Sequence, residues 1–101
     1  MAFIQTFSLT APDHQAIVNL LQAWAEGDGP AADGFHELWL MRDHQDPDRY
    51  LLCAEFSSYE DAMASSVHPA TGSLTRDLER LARNGIEGRG YHLGTVVEPH
   101  P

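Results

Sequence analysis

Two polar side chains, Gln5 and Glu37, interrupt stretches that otherwise alternate large apolar residues, and they have the most chemistry to offer. Strands are expected over Phe35–Arg42 and Arg49–Phe56, joined by the loop Asp43–Asp48, whose Asp-Pro-Asp is strong turn chemistry. If Arg42 lies opposite Arg49, then Phe35, Trp39 and Met41 share a face with Tyr50, Leu52, Ala54 and Phe56. Phe3, Gln5, Phe7 and Leu9 of an earlier strand join that face. The Gln5 amide, the Glu37 carboxylate and the Tyr50 hydroxyl then stand on a wall of aromatics, as polar anchors for a small ligand held between sheet and helices. His68, before Pro69 at a helix break, edges the same pocket or caps the next helix. The competing reading is plain packing: apolar strand residues usually form core, and a glutamate at a sheet edge sits in water.

Other constellations offer less. The histidines at 14, 36, 44, 68, 92 and 100 show none of the spacings that hold zinc, and His44 with Asp46 and Asp48 reads as turn chemistry. No metal is expected. Cys53 lies inside a strand and reads as a small hydrophobe rather than a nucleophile. The glycines of Gly85–Gly94 follow a helix, so they do not form a phosphate loop, and no nucleotide, flavin or other cofactor is implied. The charges of Arg76, Asp77, Glu79, Arg80 and Arg83 read as a solvated helix face.

The elements that must position these residues follow in order. Phe3–Leu9 alternates as a strand, and Thr10-Ala-Pro-Asp13 opens a helix whose stripe is Ile17, Leu20, Leu21 and Trp24. The run Gly27–Pro30 ends it. After the hairpin, Ser58 caps a second helical start, interrupted at His68-Pro69 because proline disfavours helix at the residue before it. Leu74, Leu78 and Leu81 resume the spacing and Asn84-Gly85 closes it. A loop over Gly85–Gly90 and a strand over Tyr91–Val97 complete the domain, residues 1–98, with a frayed tail at 99–101. The order β-α-β-β-α-β is ferredoxin-like: α+β, a four-stranded antiparallel sheet with helices on one face. Large apolar residues on both sides of the hairpin call for two covers, and helices supply one. The second is expected to be another copy of the chain, meeting a mixed face of Leu38, Leu40, Leu51 and Cys53 with Thr6, Ser8, His36, Arg42, Arg49 and Glu55. His36 and Glu55 would pair there.

Composition bounds the partners. A chain of 101 residues with 43% hydrophobic content makes one domain with one core. Its net charge is −9 and its fixed positive charges are all arginine, which disfavours nucleic acid and anionic membrane. One cysteine excludes a disulfide framework, and no run of apolar residues is long enough to span a bilayer, so a cytoplasmic location is expected.

The arrangement, with FIQTF near the start, GF opening the second strand, DPDRY and AEFSSYEDA, and HPA before the last helix, resembles the antibiotic biosynthesis monooxygenase family. The resemblance spans about residues 3 to 97 and implies a dimeric α/β barrel of ferredoxin-like protomers packed sheet to sheet. It further implies a cofactor-independent monooxygenase acting on a flat aromatic of polyketide type. Gln5 would hold the substrate carbonyl or a peroxide, Glu37 would be the base, and Trp39, Tyr50 and Phe56 would stack on the rings. Gln5 and Phe56 stand where the oxygenase branches carry asparagine and tryptophan, departures that favour a non-catalytic, ligand-binding or accessory dimer. A polyketide cyclase or aromatase is a further alternative on the same barrel. The haem-degrading branch expects a histidine on the second helix, where this chain has Gly72, Ser73, Leu74 and Thr75, so haem is not expected.

Overall fold

The computed structural model describes residues 2–27, 29 and 34–99. Among these, the chain runs β1 (Phe3–Thr10), α1 (His14–Glu26), β2 (Phe35–Arg42), β3 (Arg49–Phe56), α2 (Tyr59–Ser66), α3 (Pro69–Leu81) and β4 (Glu87–His92). The strands form one antiparallel sheet in the order β2-β3-β1-β4, with the helices on one face. This is the expected ferredoxin-like arrangement, with its second helix divided at His68-Pro69. Ser58 caps α2, its hydroxyl accepting from the Asp61 N–H at 3.1 Å.

Three boundaries differ from expectation. Thr10 remains in β1 opposite Arg49, so the α1 cap falls to Asp13, whose carboxylate accepts from the Ala16 N–H at 3.0 Å. α3 ends at Leu81, and the Arg83 N–H bonds the Thr10 carbonyl at 2.8 Å. The last strand spans Glu87–His92 rather than Tyr91–Val97, because among the described residues it pairs with β1 alone. His92 pairs with Phe3 and the Leu93 N–H reaches Ala2 O at 2.9 Å, so residues 94–97 have no β1 backbone left to meet. Gly88 and Gly90, read as loop, are strand residues; a Cβ on Gly90 would lie 2.3 Å from Phe3 Cζ, so Phe3 occupies the space a side chain would take. Of the expected helix-ending run Gly27–Pro30, Asp28 and Pro30 lie outside the described residues, as do His100 and Pro101 of the tail.

The decisive difference is register. Arg42 pairs with Tyr50, not Arg49, so Trp39 lies beside Cys53, Leu40 beside Leu52 and Leu38 beside Ala54. The turn sets this offset: the Asp43 N–H bonds the Arg49 carbonyl at 2.8 Å, and the Arg49 N–H bonds Asp46 O at 3.1 Å. The Asp43 carboxylate accepts from the Gln45 and Asp46 N–H groups, which hold its pKa below the usual range. That bracing is complete at neutral pH and is lost only as the pH falls through the lowered pKa. A slip of one residue turns a strand over. Leu38 and Leu40 therefore point to the helices, whereas Glu37, Trp39 and Met41 point away with Leu51, Cys53 and Glu55. A bulge between Phe35 and Glu37 restores Phe35 to the helix side opposite Phe56 and leaves His36 as the extra residue. His36 Nδ1 stands 3.9 Å from Glu55, close to the expected pair, while its Nε2 meets Ser57 Oγ at 2.6 Å.

The core divides in two. One cluster gathers Leu9, Ala11, Ile17, Leu21, Tyr50, Leu52 and Leu78; the other gathers Phe3, Ala54, Phe56 and Ala62. Replacing Ser58 by alanine removes the α2 cap and is expected to cost about 1 kcal/mol of stability, read as a lower urea midpoint with unchanged slope.

Candidate functional site

A cavity of about 270 Å³ lies between the two core clusters, under α2 and α3. Its floor is Gln5, Phe7, Leu38, Leu52, Ala54 and Phe56 from the sheet; Trp24, Ala62, Ser65, Ser66, Thr71 and Leu74 close it from the helices. The space exists because the lining is small where the layers face each other: Ala54 lies below, Ala62 and Ser65 above. Aromatic contacts stiffen one wall, with Trp24 edge-on to Phe35 at 5.2 Å and Phe35 edge-on to Phe56 at 5.7 Å.

The polar groups occupy opposite sides. On the sheet, the Gln5 amide nitrogen donates to Arg89 O at 3.0 Å, which anchors the carboxamide on β4 and leaves its oxygen as the acceptor for a ligand. On the helices, Trp24 Nε1 donates to Thr71 Oγ1 at 3.4 Å, and Thr71 Oγ1 lies 3.5 Å from Ser65 Oγ. Both distances are long for hydrogen bonds, so this hydroxyl pair can exchange partners at little cost when a ligand arrives. Among the described residues, no lining residue is acidic, basic or histidine. The site can bind a neutral, flat molecule with polar groups at two ends; its described lining offers no carboxylate or imidazole to take up a proton.

Of the residues expected here, Gln5 and Phe56 line the cavity. Glu37 and Trp39 do not, because the register places both on the far face of the sheet. Glu37 is exposed there and cannot reach a ligand beneath the helices, and Trp39 lines a shallow groove at the β2 edge with Leu21, Gln22 and Ala25. Tyr50 is on the helix side but is sealed into the other core cluster, 2% exposed. Its hydroxyl accepts from Arg42 at 2.9 Å and meets His14 Nδ1 at 3.1 Å, so it is a structural group. His68 caps α3, its Nδ1 accepting from the Ala70 N–H at 3.1 Å; its carbonyl accepts from the Thr71 N–H at 3.1 Å. It therefore places Thr71 rather than touching the cavity.

Trp24, Ser65 and Thr71 were not among the expected site residues. Trp24 is hidden in an apolar helix stripe, whereas Ser65 and Thr71 flank the proline break. Small hydroxyls beside a break that must still pack against a sheet are the one signal that could have found them. Elsewhere, among the described residues, no group of His, Cys, Asp and Glu is disposed to hold a metal, and no helix is long and apolar enough to cross a membrane. His100, the last histidine of the metal reading, lies outside the described residues.

No family model matches the sequence, and no curated protein matches it in sequence. Solved structures share the fold. SnoaB from Streptomyces nogalater, described as a cofactor-independent oxygenase and solved as a point mutant, superposes with a TM-score of 0.81 at 13% identity, covering 97% of this chain and 98% of its own. A protein of Nitrosomonas europaea, provisionally named an antibiotic biosynthesis monooxygenase, gives 0.73 at 12% identity over 89% and 88% of the two chains. A dimeric ferredoxin-like protein of unknown function from Jannaschia gives 0.73 at 17% identity over 92% and 100%. The fold expected from the resemblance is thus shared with proteins bearing that name.

Two outcomes test the placement of the excluded groups. Tyr50→Phe removes the hydroxyl that Arg42 and His14 hold and should lower stability by about 1 kcal/mol without altering the cavity, measured by urea unfolding. Cys53 is buried, and burial raises its thiol pKa. Its reaction with a disulfide reagent at pH 8 should be on the order of a hundredfold slower in the folded protein than in urea.

Proposed function

We propose that the cavity binds a flat, neutral aromatic of polyketide type, and that the protein acts on it as a cofactor-independent monooxygenase. The observation that carries this reading is the cavity itself: apolar and aromatic walls, one carboxamide below, three hydroxyls above and, among the described residues, no charge. The support from outside is a fold shared with SnoaB, described as a cofactor-independent oxygenase.

In this reading the substrate supplies its own reactivity. Among the described residues the lining holds no carboxylate or imidazole, so in this reading the protein does not act as the base. An anthrone-type substrate loses its methylene proton to solvent water at the cavity mouth, the resulting carbanion gives an electron to oxygen, and a proton is taken back when the outer peroxide oxygen leaves as water. Recombination and loss of water turn the ring methylene into a carbonyl, with one oxygen atom entering the product and the other leaving as water. The residues contribute position and dryness. Gln5 Oε1 accepts from a substrate hydroxyl, the Thr71 and Ser65 hydroxyls donate to a carbonyl, and Phe56, Phe7 and Trp24 pack on the rings while excluding water.

The absence of a lining acid or base also supports a second reading, in which the cavity binds the same molecule without turnover. A cyclase needs proton transfers at more than one carbon, so this lining supports it least.

Under the same proposal the protein works as a homodimer through the sheet face turned away from the helices. Met41 and Leu51 are exposed there on the hairpin that carries Trp39, and Tyr91 is exposed on β4 at the opposite edge. That is an apolar patch of the kind a second copy covers.

The test uses 1,8-dihydroxyanthrone with an oxygen electrode and mass spectrometry. Turnover should consume oxygen, and the product should gain an oxygen atom and lose two hydrogens. Ala54→Leu, which fills the cavity, should abolish it, and Gln5→Leu should slow it by roughly tenfold or more. Saturable binding without oxygen uptake would select the second reading; neither binding nor uptake would reject both.

A further inference from the structure

Trp24 belongs to two spaces. It closes the cavity of about 270 Å³ from the helix side, and it also lines a separate notch of about 240 Å³ between α1 and α3. Leu74 is the other residue common to both linings. The notch exists because small residues meet there: Ala23 on α1, Ala70 and Ser73 on α3, and Gly29 beyond the end of α1. Ala23 and Ser73 are exposed, so the notch faces outward. Among the described residues, the indole and one leucine side chain are what stands between the two spaces. The indole is held from several sides. It is 8% exposed, it packs edge-on to Phe35, and Gly29 lies so close that a Cβ there would overlap the ring. Toward the cavity its Nε1–H makes the long bond of 3.4 Å to Thr71 Oγ1. The one carboxylate of the notch, Asp77, is bonded to Arg80 at 2.6 Å.

We infer that Trp24 is the residue that sets the length of the ligand. Its indole divides one slot into an inner half that a ligand occupies and an outer half that it does not reach. The protein then takes a fused ring system that ends at the indole and rejects one that must run past it. This inference rests on the aromatic-ligand reading above and adds a size class to it. Fused rings are rigid, so such a ligand cannot fold away from the wall. Displacing the indole would break its packing on Phe35 and Gly29 together, and close-packed contacts do not yield gradually. With a small residue in place of Trp24, the two spaces would join into one slot about twice as long. Because Asp77 is already paired, the outer half would accept an uncharged ring or aliphatic arm.

Equilibrium titration with 1,8-dihydroxyanthrone and with a linear four-ring naphthacenone, under nitrogen so that neither is oxidised, tests this. The parent chain should bind the three-ring compound at least roughly tenfold more tightly than the four-ring one, and Trp24→Ala should reverse that preference. Trp24→Leu keeps an apolar contact with Phe35, covers the case in which alanine does not fold, and should shift the preference the same way. Adding Ala23→Leu to Trp24→Ala refills the notch from an exposed position and should cancel the gain for the four-ring compound alone. Gly29→Ala leaves the indole in place but presses it toward the cavity, and should weaken the three-ring compound by roughly tenfold. A parent chain that binds both compounds equally, or Trp24 variants with an unchanged preference, would overturn the inference and leave the aromatic reading standing. Xenon in crystals of the parent and of Trp24→Ala reads the partition without any aromatic ligand: two sites flanking the indole should become one continuous site. Should neither compound bind, the aromatic reading falls and the xenon map decides alone. Continuous density in the variant would keep the partition, and a slot that stays divided or collapses would overturn it.

Discussion

Everything about the site depends on one offset in one hairpin, the pairing of Arg42 with Tyr50. Side chains on a strand alternate with a period of two, so a single-residue slip exchanges the whole inner set for the outer. The turn at Asp43–Asp48 selects the offset through backbone bonds and the Asp43 carboxylate. Arg42 then reinforces it by reaching across to the Tyr50 hydroxyl and the Pro47 carbonyl. The bulge at Phe35–Glu37 undoes the slip for the strand's first residue alone. The outcome is a helix side of Phe35, Leu38 and Leu40 and an outer side of Glu37, Trp39 and Met41.

That division gives the cavity its chemistry by removing charge from it. The glutamate of β2 goes outside, and Tyr50 is taken up by Arg42 and His14. What remains is a carboxamide tied to β4 and a loosely bonded pair of hydroxyls beneath an indole. An enclosure of this kind can hold a flat, neutral ligand and shield it from water.

The outer face inherits what the inner face lost. It carries Trp39, Met41 and Leu51 between the Glu37–Glu55 end and the Arg49 end of the hairpin. The two faces are linked through β3, where Cys53 and Glu55 alternate with Leu52, Ala54 and Phe56, so whatever covers one side holds the floor of the other.

Much of this was legible beforehand. The element order, both hairpin strands to the residue, the Ser58 cap and the His68-Pro69 break follow from local rules, because turns, caps and prolines act within a few residues. Gln5 and Phe56 were legible as lining because β1 and β3 are central strands with unambiguous alternation. Glu37, Trp39 and Tyr50 were misplaced because register and competition for a hydroxyl are settled by groups far apart in sequence. The last strand was misplaced for a similar reason: Gly88 and Gly90 look like loop until Phe3 and Phe7 are seen to fill their places, and Leu93–Val97 looks like strand although β1 has ended. Short-range preferences along the chain suffice for the order of strands and helices and for which of them are amphipathic. Which way β2 faces, and with it which polar groups a ligand can meet, emerges only in the folded sheet, because sidedness depends on pairing across space rather than on any residue's own propensity.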